Sequence, residues 1–408
     1  MSAAIGTAPT GAPIGSTDTV SLLVGGNDIS GWQRVSISRS LDSVPSSFDI
    51  QVTEKYPYKA DVVLQAGSTC QVKIGDDLVI TGYVDRYSTS IAAMEHTVRI
   101  QGRSMSEDLV DCAALTEISA TPGGQIMGGT ALGIAQQLAK PYGVTVNSTA
   151  DDYGVPIPQF NINLGETVWE IVDRVTRRAQ LLAYDMPDGS VVLAKAGTET
   201  MASGFSIGGN IESAVVTFSM DQRYSDYEGH FLSTMVYGND YGPGGAPVIH
   251  DAEAQALKRA DGSPRFRKRY VITEQTDLGQ SLAQARAQWE CNRRQGRSNS
   301  IQLICDSWRD SAGALWAPNH LAPIAADVLK LRTDTWLIAE VTYTRDENGQ
   351  HAAITMMDPL AFSPEPVSLQ TLAPTVQQIE DANNPTKPSP DNQAPKPELA
   401  IRPQAILQ

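Results

Sequence analysis

The sequence predicts a mainly β protein with α+β insertions: two similar β-barrel domains and one small α+β module. Three observations carry this. Short runs that alternate apolar and polar residues, separated by Gly, Asp and Asn turns, fill both ends of the chain. Apolar residues at helical spacing concentrate in the middle. Two distant blocks end alike, each in a long apolar strand, a polar turn and a second strand that opens with His. The chain holds 33 Gly and 24 Pro in 408 residues, which suits many short strands joined by turns.

Residues 1–19, rich in Ala, Gly, Ser, Thr and Pro, read as a flexible arm. Residues 20–120 read as the first barrel. Val20–Val24 and Trp32–Ser38 are strands around a Gly-Gly-Asn turn, and Ser46–Val52 alternates as a half-buried strand should. Cys70–Ile74 leads into Gly75-Asp76-Asp77, a tight-turn signal, followed by strands Leu78–Arg86 and His96–Gly102.

The character changes over 121–200, the α+β module. Gly129–Lys140 has helical spacing and is ended by Pro141-Tyr142-Gly143. Val144–Val146 is a brief strand. Phe160–Leu164 precedes Gly165-Glu166-Thr167, a helix start, and Val168–Gln180 places Val168, Ile171, Val172 and Val175 on one face. Leu181–Tyr184 and Val191–Ala194 flank Asp188-Gly189, a hairpin turn.

Residues 201–298 read as a connecting β/α domain that adds strands to the second barrel. Ala214–Ser219 and Phe231–Tyr237 are strands, Asn239–Pro247 is a loop, and Asp277–Arg294 is a helix. Ser281 is placed to cap that helix, and Leu282, Ala285 and Trp289 share a face. Residues 299–362 complete the second barrel with Ile301–Cys305, the G-A-L-W-A-P-N segment ending at Asn319, Thr335–Thr344 and His351–Met357. Residues 363–408 carry Pro at a high rate and read as a disordered tail.

Composition removes several function classes. A length of 408 residues allows about two to four domains. The net charge of −15 opposes a grip on nucleic acid, which needs clustered Lys and Arg. Cys70, Cys112, Cys291 and Cys305 form no C-x-x-C pair and read as small hydrophobes in a reducing compartment. No secretory signal and no membrane-spanning apolar run is present, so the expectation is a soluble, cytoplasmic product. The five histidines are scattered, and no nucleophile elbow, zinc-protease helix or phosphate loop occurs, so no catalytic residue, metal or cofactor is expected.

The remaining polar features have structural readings. Asp76-Asp77 and Asp151-Asp152 are adjacent, so on a strand they point apart and suit turns. The basic run Arg265–Arg269 (R-F-R-K-R) reads as a loop or strand edge paired with acidic neighbours, with nucleic acid as the alternative. Arg174, Arg177 and Arg178 lie on one helix and suit a solvated face or a salt-bridged subunit contact. Trp316 and Trp336 read first as core residues, with a subunit-interface anchor as the alternative. Candidate subunit-interface or barrel residues are Trp316, Asn319, Trp336, Arg174, Arg177, Tyr83 and Tyr87.

The middle module carries a family resemblance. The run G-T-A-L-G-I-A-Q-Q-L-A-K-P-Y-G-V, followed by F-N-I-N-L-G-E-T-V-W-E-I-V-D-R-V-T-R-R-A-Q-L-L-A-Y-D, resembles the central module of the Mu-like contractile-phage baseplate hub proteins, the 43 kDa tail protein family. The later A-R-A-Q-W-E-C-N-R-R helix and the G-A-L-W-A-P-N segment fit the same family, and the resemblance covers residues 20–360. Its motifs are structural and bring no active-site residues. The resemblance implies a homotrimer that presents six barrels in a ring. That ring would match a sixfold tail tube on one side and a threefold central spike on the other. DNA would pass through it without sequence-specific binding. It also implies other baseplate proteins as partners, a virion tail baseplate location, and assembly in the host cytoplasm. The alternative is a tail-associated cell-wall-binding or hydrolytic protein, which would need paired carboxylates, a metal site or a cysteine–histidine pair.

Overall fold

The computed structural model describes residues 18–53, 65–92, 95–116, 124–151, 156–197, 199–231, 245–273, 279–331 and 333–366. Residues 1–17 of the expected N-terminal arm, the Pro-rich tail beyond 366 and most of the 239–247 loop lie outside the described residues. Asp18 and Thr19, read as part of the flexible arm, are instead held: Asp18 pairs with Arg309 at 2.8 Å and the Thr19 carbonyl accepts from the Gly75 N–H at 2.8 Å.

The first β block contains Val20–Val24 (β1), Asn27–Ser30 (β2), Arg34–Ser40 (β3), Ser47–Thr53 (β4), Thr69–Ile74 (β5), Asp77–Ala92 (β6) and Glu95–Ser104 (β7). Gly25 and Gly26 both take positive φ, the requirement of a two-residue hairpin turn, and Val24 pairs with Asn27 across it. β6 and β7 form the longest hairpin. A Cβ on Gly82 would lie 1.8 Å from the Arg103 carbonyl oxygen, and one on Gly102 would lie 2.1 Å from that of Tyr83. The two strands therefore approach closely only because both positions lack a side chain. A bulge between Val84 and Arg86 follows at once.

The middle module follows as Glu107–Asp111 (α1), Gln125–Gly129 (β8), Ala131–Ala139 (α2), Val146–Ser148 (β9), Ile157–Asn161 (β10), Val168–Arg178 (α3), Leu182–Asp185 (β11) and Val191–Ala194 (β12). α3 starts where the sequence places it. Thr167 Oγ1 accepts from the Glu170 backbone N–H at 3.2 Å, and Glu170 Oε2 accepts from the Thr167 N–H at 2.9 Å, a capping box. Val168, Ile171, Val172 and Val175 are all buried against α2 and the β12 strand. Each such side chain contributes about 1.5–3 kcal/mol relative to exposure. The brief strand comes two residues later than expected, because Val146 rather than Val144 starts the parallel pairing with Val191.

Next come Glu199–Thr200 (β13), Phe205–Ser206 (β14), Ile211–Phe218 (β15), Asp226–Phe231 (β16), Val248–His250 (β17), Ala252–Gln255 (α4), Lys268–Thr273 (β18) and Gly279–Arg297 (α5). One expectation needs correction and one is out of reach. Of the strand read at Phe231–Tyr237 only Phe231 is among the described residues, as the last residue of β16. Tyr227 of β16 is fully buried against Ala287 and Cys291 of α5. Ser281 does not cap α5, because it is the third residue of a helix that begins at Gly279. On α5, Leu282 is buried as expected while Ala285 and Trp289 are half-buried; the most buried row is Ala283, Ala287 and Cys291.

The second β block ends the described chain with Asn299–Cys305 (β19), His320–Ala325 (β20), Thr335–Asp346 (β21) and Gly349–Met357 (β22), then a 3-10 turn at Pro359–Phe362. The echo seen in the sequence extends to the hydrogen bonding. In the first block the spatial order is β3-β4-β7-β6-β5; in the second it is β15-β19-β22-β21-β20. Every neighbouring pair in both is antiparallel. The first strands of both hairpins carry a bulge, at Val84/Arg86 and at Ile338/Glu340. β21 also pairs with β3, so both blocks belong to one 14-stranded sheet with a shared core.

Candidate assembly surfaces

Among the described residues no group of three or more His, Cys, Asp or Glu could hold a metal ion. Four histidines each face a single carboxylate in four different places: His230 with Glu228, His250 with Asp226, His320 with Glu199, and His351 with Glu212. All four cysteines are free, and burial pushes the Cys70 thiol up to about 12 and those of Cys291 and Cys305 to about 11, away from nucleophilic thiolate. Burial, with Asp85 beside it, raises the Glu107 carboxyl to about 8 although Arg103 lies 3.1 Å away. Its neighbours Arg103, Asp85 and Asp111 form a surface ion network.

The residues singled out in the sequence fall into three environments. Trp316 and Trp336 are core residues of the large sheet. The Trp316 ring lies 4.4 Å from that of Phe205 and its Nε1–H donates to the Ser307 carbonyl at 2.9 Å; Trp336 Nε1–H donates to the Thr333 carbonyl at 2.9 Å. Asn319 is an internal staple. It sits at φ 64°, a left-handed conformation that Asn tolerates. Its Oδ1 accepts from the Gly197 N–H at 2.8 Å, and its Nδ2–H donates to Tyr184 Oη and the Lys195 carbonyl at 3.1 and 3.0 Å.

Arg174 and Arg177 lie on α3 in intramolecular pairs. Arg174 meets Glu166 at 2.9 Å and stacks over Phe160; Arg177 pairs with Asp173 and, at 3.5 Å, with Glu365 of the segment after the second block. Tyr83 is half-buried on β6 with its phenol raised by burial, while Tyr87 on the same strand is exposed. The basic run is engaged internally: Lys268 pairs with Glu228, Arg269 with Glu290 at 2.7 Å, and Arg267 donates to the Met220 and Asp221 carbonyls.

Buried polar staples join the units, and spacing alone could not reveal them because their partners lie far apart in sequence. Asp185 on β11 accepts from the Ser46 backbone N–H at 2.9 Å, from Ser46 Oγ at 3.0 Å and from Ser104 Oγ, tying the module to the first β block. Asp185→Ala should cost about 3 kcal/mol, since it strands buried donors. Urea denaturation should show that loss, and limited proteolysis should cut first between residues 104 and 185. The segment after β22 is a second tie. Trp289 Nε1–H donates to the Ser363 carbonyl at 2.7 Å, Arg286 to that of Pro366 at 3.0 Å, and a Cβ on Gly296 would meet the Ala361 nitrogen at 2.1 Å. Gly296→Val should therefore detach this segment, read as faster amide exchange over residues 359–366 with the large sheet still protected.

Exposed large apolar side chains gather in two places. On the three-stranded sheet β17-β16-β18, hereafter the three-stranded sheet, they are Val248, Tyr270 and Ile272, with Phe266 just before β18. On the large sheet they are Tyr87 and Ile91 of β6, Val215 and Phe218 of β15, and Ile304 of the neighbouring β19. Sequence reasoning found only Tyr87 of these.

Three family models match in chain order. The Mu phage baseplate assembly protein GpP-like N-terminal domain matches residues 19–104, the second domain of baseplate hub protein gp44-like matches 106–195, and the fourth domain of Mu phage baseplate assembly protein GpP matches 279–365. Baseplate hub protein gp44 of Escherichia phage Mu is 28% identical over 349 residues, covering 83% of this chain and 88% of that protein. The crystal structure of the prophage MuSo2 43 kDa tail protein from Shewanella oneidensis is 28% identical with a TM-score of 0.73, covering 86% of this chain and 100% of that one. A tail protein from Neisseria meningitidis, 20% identical with a TM-score of 0.69 over 85% of this chain and 98% of that one, shares the fold. These relatives are structural tail proteins, so the hydrolase alternative falls and the protein is not an enzyme. The chain belongs to the Mu-like baseplate hub family and is a component of a phage tail baseplate.

Proposed function

We propose that three copies of this chain close into a ring that joins the sixfold tail tube to the threefold central spike and leaves a channel for DNA. The observation that carries the reading is the repeated strand order. One chain with two alike β blocks supplies six alike blocks in a trimer, which offers a sixfold surface from a threefold particle. In this reading each block is one of the two similar barrels, with residues 20–120 as the first and 299–362 plus strands from 201–298 as the second. The module at 121–200 and the three-stranded sheet with α5 project from the ring toward the spike and the other baseplate proteins. Assembly takes place in the host cytoplasm, before the tail is complete.

The net charge of −15 suits a channel that DNA passes without sticking. Duplex DNA should not be retarded in a gel by this protein even at low salt, where phosphate contacts are strongest. The test of the ring is the solution mass by light scattering. The expected value is three times the 43.8 kDa chain. A monomer or an even-numbered oligomer would overturn the trimer.

A further inference from the structure

The sheet contains a template for its own continuation. Inside the chain the second block meets the first where β21 pairs antiparallel with β3, from Glu340↔Ser40 to Arg345↔Val35. Because both blocks share one strand order, each strand of this junction has a counterpart. The bulges fix the alignment: Glu340 pairs with Thr355 just past one bulge, and Arg86 pairs with Gln101 just past the other. So β6 corresponds to β21, and Arg86–Ile91 corresponds to Glu340–Arg345. Likewise Ser36 faces Asp49 and Val215 faces Gln302 at matching places, so β15 corresponds to β3.

Among the described residues the counterparts are open edges. β5 covers one side of β6 only as far as Tyr83, and the last bonds on that side are Val84 N–H to the Ser68 carbonyl and Gly67 N–H to the Val84 carbonyl. Among the described residues no strand pairs with that side of Arg86–Ile91, and β15 pairs with β19 alone apart from a single bridge of Ile211 to Ile207 at its start, so Ala214–Phe218 has one open side. Exposure follows the gap. Val341 and Tyr343, within the internal junction, are 0% exposed. Their counterpart region carries Tyr87 at 37% and Ile91 at 81%, and β15 carries Val215 at 62% and Phe218 at 44%.

We propose that β15 of one copy pairs antiparallel with Arg86–Ile91 of the next, repeating between copies the junction that β3 and β21 make within one. This rests on the ring reading above and specifies its seam. The template gives the register: Tyr87 opposite Phe218, Ser88 opposite Thr217, Thr89 opposite Val216, Ser90 opposite Val215. Tyr87 and Phe218 then bury each other on the core face, as Val341 and Arg39 do within the chain. The backbone donors also fit. Ser219 N–H points to β19, donating to the Ser298 carbonyl, so by alternation the N–H groups of Ala214, Val216 and Phe218 point to the open side. The seam is heterologous, with one donor edge and one acceptor edge per copy, the arrangement that closes a ring.

Disulfide trapping tests it on the full chain, in a Cys112→Ser background. Ser38↔Thr342 is the template of Ser88↔Thr217. It lies between hydrogen-bonded pairs such as Leu41↔Ala339, so its Cα atoms are at the shorter cross-strand spacing that a disulfide bridges. Ser88→Cys with Thr217→Cys, oxidised with copper phenanthroline, should give covalent dimers and trimers on a non-reducing gel. Ser90→Cys with Thr217→Cys, slipped by two residues, should react at least tenfold more slowly, and neither single variant should cross-link. Independently, Val216→Pro removes one open-side N–H and leaves the β19 bonds in place. It should weaken association at least tenfold with an unchanged far-UV spectrum. A trimer by light scattering that fails to cross-link, cross-links equally in the slipped pair, or survives Val216→Pro overturns the seam and leaves the ring. A monomer under all conditions overturns the ring and the seam with it.

Discussion

Arg223→Ala should destabilise the three-stranded sheet by about 3–5 kcal/mol, because it leaves a buried carboxylate without its cation. Arg223 is almost wholly buried. Its Nε and Nη2 donate to the two oxygens of Asp251 at 2.8 and 2.6 Å, and its Nη1 reaches Glu253 at 2.6 Å. Asp251 is equally buried and also caps α4, accepting from the Glu253 and Ala254 N–H groups. Lysine should not rescue, since it lacks the two-pronged donor geometry. Arg223→Met combined with Asp251→Asn should recover most of the loss, because the cap remains and no charge is stranded. Hydrogen exchange reads the result: protection should fall over β16, β17 and β18 while the large sheet keeps its own. A single variant that melts like the parent would show that the pair contributes nothing.

Trp316→Ala should cost a similar 3–5 kcal/mol, this time in the large sheet. The indole is fully enclosed by the shared core, and three contacts locate it. Its ring packs on Phe205 beside β20, its N–H satisfies the Ser307 carbonyl, and its own carbonyl accepts from the Tyr343 hydroxyl of β21. Truncation opens a cavity that these neighbours fill only in part, since Phe205 and Tyr343 are themselves fixed by strand pairing. The urea midpoint should drop with little change in slope. Trp316→Phe should lose much less. A mere surface role, such as an interface anchor, would instead leave monomer stability intact and change only assembly.

Much of the fold was legible because local patterns and tertiary demands agree in it. The β6–β7 and β21–β22 hairpins announce themselves by period-two alternation around polar turns, and α3 by its capping box and one apolar face. Residues 226–273 read poorly for a physical reason. β16 reads D-Y-E-G-H-F, with Asp226, Glu228 and His230 on one face, β18 reads K-R-Y-V-I-T, with apolar residues on both faces, and β17 and α4 are too short to show a period, as are β13 and β14 at 199–206. They are held by α5, by the Arg223 pair and by β20, partners that no local window contains.

The assembly surface was the least legible part. Tyr87 stood out as an aromatic on a strand, while Trp316 and Trp336, whose first reading was core, do lie in the core. Phe218 and Val215 gave no signal, because their meaning comes from an open strand edge. That edge is visible only once β3 and β15 are seen to hold the same place in two blocks.

The most direct measurement of the central claim is electron microscopy of the purified oligomer viewed down its axis. Threefold particles with six similar β densities around an open centre are expected, with a strand-to-strand seam between copies that matches the β3–β21 junction within each. A dimer, or a threefold particle whose copies meet through the three-stranded sheet with β15 still exposed, would contradict it.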